Sequence, residues 1–480
     1  MPIPPILEAT SRAGDVTSYD LTVRKDRTAF FPGTSTETYG YNGSLLGPTI
    51  RLRRGERTSV RVENHLDRRT NIHWHGMRIP AAADGPHHDI EPGDNFTASF
   101  SVIQPAATLW YHPHTSDSGF QVFWGLSGFL YLDDAISDAV PIPRDYGVND
   151  FPLLVQDKHF FRDGTLSYTM QGPEEATEER ILGEEMLVNG VINPYLDLPQ
   201  GTVRLRVLNG SDARRYNFAL EDGRTFFLIG SDGGLLPAPA PVTSVELAPA
   251  ERAEILVDFT ADAIGTRLKL VSRAFPVELN EVGPFVPPYL VSVSGRKRLL
   301  VSPVSMGNEF PVMELRIANR GTSVAVPARL VAVDTIAESE AQTTRVFEIE
   351  RVGEETINGL KFDMNRIDVQ VPTAATEIWS ITNYANDFSH SFHIHGLQFR
   401  VLDRSVQGLG RPLPALEAGW KDTVLAHPGE RVRVIARFND MSGIYMFHCH
   451  VIQHENRGMM GTFLVTDASS TDNHMHAGAR

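Results

Sequence analysis

Apolar and polar positions alternate in short runs along most of this chain. Val60-Arg61-Val62-Glu63-Asn64 and Val203-Arg204-Leu205-Arg206-Val207-Leu208-Asn209 are examples, and Ile378-Trp379-Ser380-Ile381-Thr382-Asn383 reads as a third. Such a period sends successive side chains to opposite faces of a strand. Helical periodicity is scarce, and Gly, Pro, Asn and Asp separate the runs. The pattern predicts an all-β fold of sandwiches or barrels.

The runs also recur in a fixed setting. Tyr41-Asn42-Gly43 and Gly47-Pro48-Thr49-Ile50-Arg51-Leu52 precede the first, and Val188-Asn189-Gly190 precedes the second. Ile357-Asn358-Gly359 and Ile367-Asp368-Val369-Gln370-Val371 precede the third. Each unit couples an Asn-Gly turn to a strand ending in Asn, and three ordered matches make chance similarity of β patterns the weaker reading. With Pro-bearing linkers at 138–152 and 302–311, the expected units are 1–140, 150–302 and 311–466. The tail 467–480 has few large apolar residues and is expected to be disordered, with His474-Met475-His476 as no more than a stray metal binder.

Composition narrows the partners. A chain of 480 residues exceeds one core and suggests two to four domains. A formal charge of -15 argues against nucleic acid. No run reaches the roughly 18 apolar residues of a membrane span. Met1-Pro2-Ile3-Pro4-Pro5-Ile6 has neither the basic nor the apolar region of a signal peptide, so the expectation is a cytosolic protein or a mature exported one. The single cysteine leaves no intramolecular disulfide framework.

That cysteine carries the chemistry. Cys449 lies in His448-Cys449-His450, followed by His454 and Met459. Thiolate, imidazole and thioether at these spacings suit a blue-copper centre, with two His and a Cys bound strongly and a Met on a long axial bond. On a strand, His448 and His450 point one way and Cys449 the other, so one peptide serves two metal centres. His73-Trp74-His75, His112-Pro113-His114 and His390-Ser391-Phe392-His393-Ile394-His395 add further imidazoles. The four segments hold ten of the chain's 17 His, too many for one ion. In the middle unit Asn209 is followed by Tyr216-Asn217-Phe218 and no histidine, so the site is expected where the first and last units meet.

From Tyr41-Asn42-Gly43 to Met459-Met460-Gly461 the chain resembles the three-domain multicopper oxidases: laccases, spore-coat laccases and bacterial copper-efflux cuprous oxidases. The resemblance implies three consecutive cupredoxin-like Greek-key β-sandwich/barrel domains and four copper ions. It places type 1 copper on His390, Cys449 and His454 with Met459 axial, and type 2 copper on His73 and His393. It places one type 3 copper on His75, His112 and His450, and the other on His114, His395 and His448. Four one-electron oxidations at type 1 copper would then feed reduction of dioxygen to water, with electrons crossing ~10 Å through Cys449 and a flanking His. Asp84 resembles the family's acidic residue near type 2 copper, and Glu455 one proposed to relay protons. The plainer readings are a turn residue for Asp84, since Asp84-Gly85 is a turn pair, and a solvated carboxylate for Glu455. Met460 reads as core filling. His65, His159 and His427 read as surface or hydrogen-bonded residues, and His87-His88 is left without a role.

The reductant is less legible. Before His390 stand Asn386-Asp387-Phe388, where cuprous oxidases carry an acidic residue and Met residues, and no Met-rich stretch lies between Arg296 and Glu348. Few thioethers argue against a dedicated Cu(I) site. A laccase-like oxidase of phenols and aromatic amines is expected, with Asp387 a candidate substrate contact whose plainer reading is a loop residue. Trp420-Lys421-Asp422-Thr423 reads as packing and loop support. The alternatives are a Cu(I) oxidase in copper tolerance and a non-catalytic scaffold of the same fold. By the same resemblance the chain is expected to be periplasmic or otherwise exported, with its leader removed, and a fold that is self-sufficient alone is expected to be monomeric.

Overall fold

The computed structural model describes residues 1–161, 163–168, 182–277, 304–350, 355–385 and 388–466, and the backbone alone at 289–293 and 296–300. Asp387, with its neighbour Asn386, and the tail 467–480 lie outside the described residues.

The repeated sequence pattern folds into a repeated topology. In each unit an early strand runs parallel to the strand that ends in Asn. Val16–Thr28 pairs with Arg57–His65, Asp150–Lys158 with Thr202–Asn209, and Thr343–Ile349 with Thr376–Asn383. The terminal Asn does the same work each time. Asn64 Nδ2 donates to the carbonyls of Arg68 and Ile90, Asn209 Nδ2 to those of Arg214 and Leu247, and Asn383 Nδ2 to those of Phe388 and Ala426. Each Oδ1 accepts the N–H two residues on, from Leu66, Ser211 and Ala385. The Asn-Gly turns match as well. Asn42, Asn189 and Asn358 have φ of 57°, 49° and 56°, the left-handed region that Asn tolerates. Their Oδ1 atoms accept from the N–H groups of Thr22, Leu154 and Glu348 on the early strands.

A second sheet faces the first in every unit and is closed by a late parallel strand. Ile50–Arg53 lies beside Gly128–Asp133, Tyr195–Gln200 beside Phe310–Arg320, and Val369–Pro372 beside Met460–Thr466. This corrects one expected boundary. Phe310–Arg320 also pairs with Arg267–Ser272, so it ends the second unit, and the third starts after Arg320 rather than at 311.

Among the described residues each pair of sheets encloses its own large apolar core, around Trp74 and Leu109, Leu205 and Ile255, and Trp379 and Phe447. Buried polar groups join the units. Arg206 donates to Asp150 and to Thr108 of the first unit, while Arg252 donates to the Thr108 carbonyl and to Asp422 of the third. Through these contacts the strand Ala107–His112 and the strand His390–Ile394 lie on either side of a common histidine cluster.

Candidate metal centre

The two His-x-His segments enter from one sheet. Strand His73–His75 pairs antiparallel with Ala107–His112, setting His73 opposite His112. From the third unit, His390–Ile394 pairs with Gly443–Cys449, setting His393 opposite His448. The outcome is one buried cluster of eight imidazoles. His73 stacks on His395 at 3.8 Å and His75 on His393 at 3.7 Å. His112 and His450 rings lie 5.3 Å apart, and His114 Nε2 is 3.2 Å from His448 Nε2.

Most of these rings spend one nitrogen outward. His73 Nδ1 lies 3.2 Å from Asp84 Oδ1 and His395 Nδ1 2.9 Å from Asp84 Oδ2. His75 Nε2 meets Asp422 Oδ1 at 3.0 Å, His393 Nδ1 the Asp422 carbonyl at 2.8 Å, and His112 Nδ1 the Pro113 carbonyl at 2.9 Å. A ring N–H that donates to an acceptor leaves the other nitrogen as a lone pair, the usual orientation of a metal-ligating His.

Cys449 turns the other way, as strand alternation requires. Its Sγ lies 3.4 Å from His390 Nδ1 and 3.8 Å from His454 Nδ1, and those two nitrogens are 3.3 Å apart. The Val451 N–H donates to the sulfur. Met459 is fully buried, and its backbone ties the triad together: its carbonyl accepts from the Cys449 N–H and its N–H donates to the His454 carbonyl.

Copper fits both places. His73 Nε2, His75 Nδ1, His112 Nε2 and His393 Nε2 are buried without a hydrogen-bond partner, which is costly unless a cation takes the lone pair. His395 Nε2 faces His448 Nε2 at 3.0 Å, an arrangement that a bound cation makes favourable. Burial first, then neighbouring imidazoles, holds His75, His112, His393 and His395 below the ordinary range. Burial likewise brings His114 and His450 down to about 3, so these rings are neutral and able to ligate. The nitrogen and sulfur donors form sets of three whose ligating atoms lie within 4.8 Å of one another, including His390-Cys449-His454 and His114-His395-His448.

Sequence profiles described as multicopper oxidase match residues 22–136 and 326–469. A multicopper oxidase of Staphylococcus epidermidis is 35% identical over 97% of this chain and 92% of its own length. The chain belongs to the multicopper oxidase family. A laccase from Pediococcus acidilactici has the same fold, with a TM-score of 0.82, 31% identity, and coverage of 97% of this chain and 93% of its own. The cell division protein FtsP of Escherichia coli is 33% identical over 97% of this chain and 92% of its own. The fold is thus the cupredoxin-like one of bacterial three-domain multicopper oxidases.

Two carboxylates singled out in the sequence are buried beside the cluster of this multicopper oxidase. Asp84 ends the short helix Ala81–Asp84, and Gly85 at φ 103° turns the chain away, so Asp84 is both a turn residue and a contact of His73 and His395. Glu455 is 2% exposed, which overturns the solvated reading. It lies 3.2 Å from His448 Nδ1 and 3.8 Å from His114 Nε2, and Ser118 Oγ donates to it at 2.9 Å. Burial raises its carboxyl, but His114 and His448 outweigh burial and hold it well below the usual range.

Other contacts had no signal in the sequence. Asp422, read as loop support, reaches His75, and Arg252 of the middle unit donates to both of its oxygens, at 2.8 and 2.5 Å. Glu350 Oε1 lies 3.3 Å from His390 Nε2. Neither acid stands at a motif spacing. His87 carries a buried Nε2 with no hydrogen-bond partner, while His88 stacks on Phe96 at 4.7 Å. His159 pairs with Glu184, His427 Nδ1 lies 3.2 Å from Ser389 Oγ, and His65 is exposed.

Proposed function

We propose that the chain is a laccase-type oxidase that couples one-electron oxidation of phenolic or aromatic reductants to reduction of dioxygen to water. One observation carries this reading: a single buried peptide gives Cys449 to one donor set and His448 to the other. Bound copper supplies the redox chemistry, accepting electrons singly at the cysteine site and reducing dioxygen at the imidazole cluster. His390, Cys449, His454 and Met459 would hold type 1 copper, and His73 and His393 type 2 copper. His75, His112 and His450 would hold one type 3 copper, and His114, His395 and His448 the other. The Cys449–His448 peptide bond links the two sets covalently. Glu455, fixed by Ser118, holds a proton-exchanging carboxylate against His448, and Asp84 does so against His73 and His395.

His454 borders a shallow recess that also includes Arg215, Met306, Phe388, Ser389 and Leu425, against whose mouth the edge of a reductant would rest. Among the described residues it contains one thioether, fewer than a dedicated Cu(I) site needs, which supports an organic reductant. Met306 is also what favours the second reading, oxidation of Cu(I). A purely structural role, in keeping with the cell-division relative, sits poorly with twelve retained ligand candidates. We further propose an exported, monomeric enzyme.

A copper count with absorption and paramagnetic-resonance spectra tests the metal assignment. Four ions per chain and a strong thiolate-to-copper band are expected, and a colourless copper-loaded protein refutes it. Catalytic efficiency with a phenol against Cu(I), with and without added Cu(II), then separates the two reductants.

A further inference from the structure

All the cluster imidazoles are buried, yet copper has to reach them. A cavity of about 600 Å³ runs to His114 and Glu455, and its walls include Met364, Met446, Met460 and His87. Three of the chain's 12 methionines therefore line one passage to the cluster.

Strand geometry explains their placement. Met446 and His448 are two residues apart on Gly443–Cys449, hence on one face, and Met460 is the direct cross-strand partner of His448. The same alternation sends Met459 to the opposite face, with Cys449, and into the apolar core of the third unit. Among the described residues Met446 and Met460 fall outside the three large apolar clusters and border the cavity, so the core-filling reading of Met460 gives way to one facing the cavity. The soft donors are graded in depth: Met364 is 44% exposed, Met446 1%. His87 adds a buried ring nitrogen with no hydrogen-bond partner. Two cations of the wall are neutralised, Arg69 by Asp89 at 3.2 Å and Arg457 by Glu355 at 2.5 Å, which leaves Lys361 as the wall's remaining cation among the described residues.

Thioethers and imidazole select cuprous ion over harder cations. We propose that this cavity is the loading route of the cluster: Cu(I) passes from Met364 to Met460, Met446 and His87 and is handed to His114. The inference rests on the copper-cluster reading above, and adds where and in which oxidation state the metal enters.

The test uses the full chain stripped of copper, with Met364 and Met460 both changed to Leu to keep volume while removing sulfur. Under anaerobic conditions, Cu(I) is supplied as its acetonitrile complex, and bound copper is counted against time. Uptake at the cluster should slow roughly tenfold. Filling of the Cys449 site, followed by its thiolate-to-copper band after brief oxidation, should keep its rate, and so should cluster loading from Cu(II). Equal cluster-loading rates in variant and parent overturn the route, as does equal slowing with Cu(II), which would mean a steric effect. A raised KM for dioxygen with unchanged loading would also overturn it, in favour of a gas channel. If the parent itself takes up no copper at the cluster, the underlying reading fails instead. His87→Gln, which leaves all three thioethers in place, provides a second variant and should also slow Cu(I) loading.

Discussion

Glu455 is held by Ser118 on one side and faces His448 and His114 on the other, the placement that the proposed proton relay requires. Glu455→Gln keeps the volume and removes that relay. Turnover should fall by roughly 10²-fold or more, the usual scale of a lost general acid or base. Copper content and the rate at which substrate reduces the cysteine site should stay as they were. Stopped-flow reduction and steady-state oxygen uptake separate the two steps, and an unchanged oxygen rate removes the role. Met459, whose backbone bonds to Cys449 and His454, is the proposed fourth ligand of the other centre. Replacing it with Leu takes a weak donor from oxidised copper, so the type 1 potential should rise, read by redox titration of the visible band. An unshifted potential would count against the axial assignment.

At the level of strands and turns, the three Asn corners do equal mechanical work in different surroundings. Each side chain satisfies two buried carbonyls and one N–H, and leaving such groups unpaired costs about 1–3 kcal/mol. Asn383→Ala and Asn209→Ala should lower the unfolding midpoint of the apo-protein to similar extents, while only the former, seven residues before His390, disturbs the thiolate-to-copper band. Much of this was legible in advance. The period-two runs, the Asn-Gly turns and the terminal Asn residues marked the repeat, and His-x-His spacing put paired imidazoles on one face. The end of the second unit was not legible, because alternation in Phe310–Arg320 says that it is a strand but not that its partners are Tyr195–Gln200 and Arg267–Ser272. Nor was Asp422, whose partner Arg252 lies 170 residues away and whose contact with His75 leaves no local pattern.

Across the whole molecule, Arg252 is where the three units meet. It donates to the Thr108 carbonyl of the first, the Asp232 carbonyl of the second and the Asp422 carboxylate of the third, and it is fully buried. Removing one partner from a buried charge pair costs about 3–5 kcal/mol because the other charge remains. Arg252→Met should therefore destabilise the protein by about that amount in chemical unfolding, and loosen His75 through Asp422. Acid acts on the neighbouring junction of the first two units. Glu254 accepts from Thr108, Arg204 and Arg206. Burial raises its carboxyl, but Arg204 and Arg206 prevail and bring it down to about 2, from an ordinary 4.5. A carboxylate lowered on folding adds stability that is complete above its ordinary value and lost as pH falls through the folded one. The apo-protein should thus lose stability progressively from about pH 4.5 toward pH 2. Glu254→Gln should be less stable at neutral pH, since Arg204 and Arg206 lose a counter-charge, and its stability should fall less steeply across that acid range. Parallel slopes for the two proteins would show that Glu254 contributes nothing to the acid response.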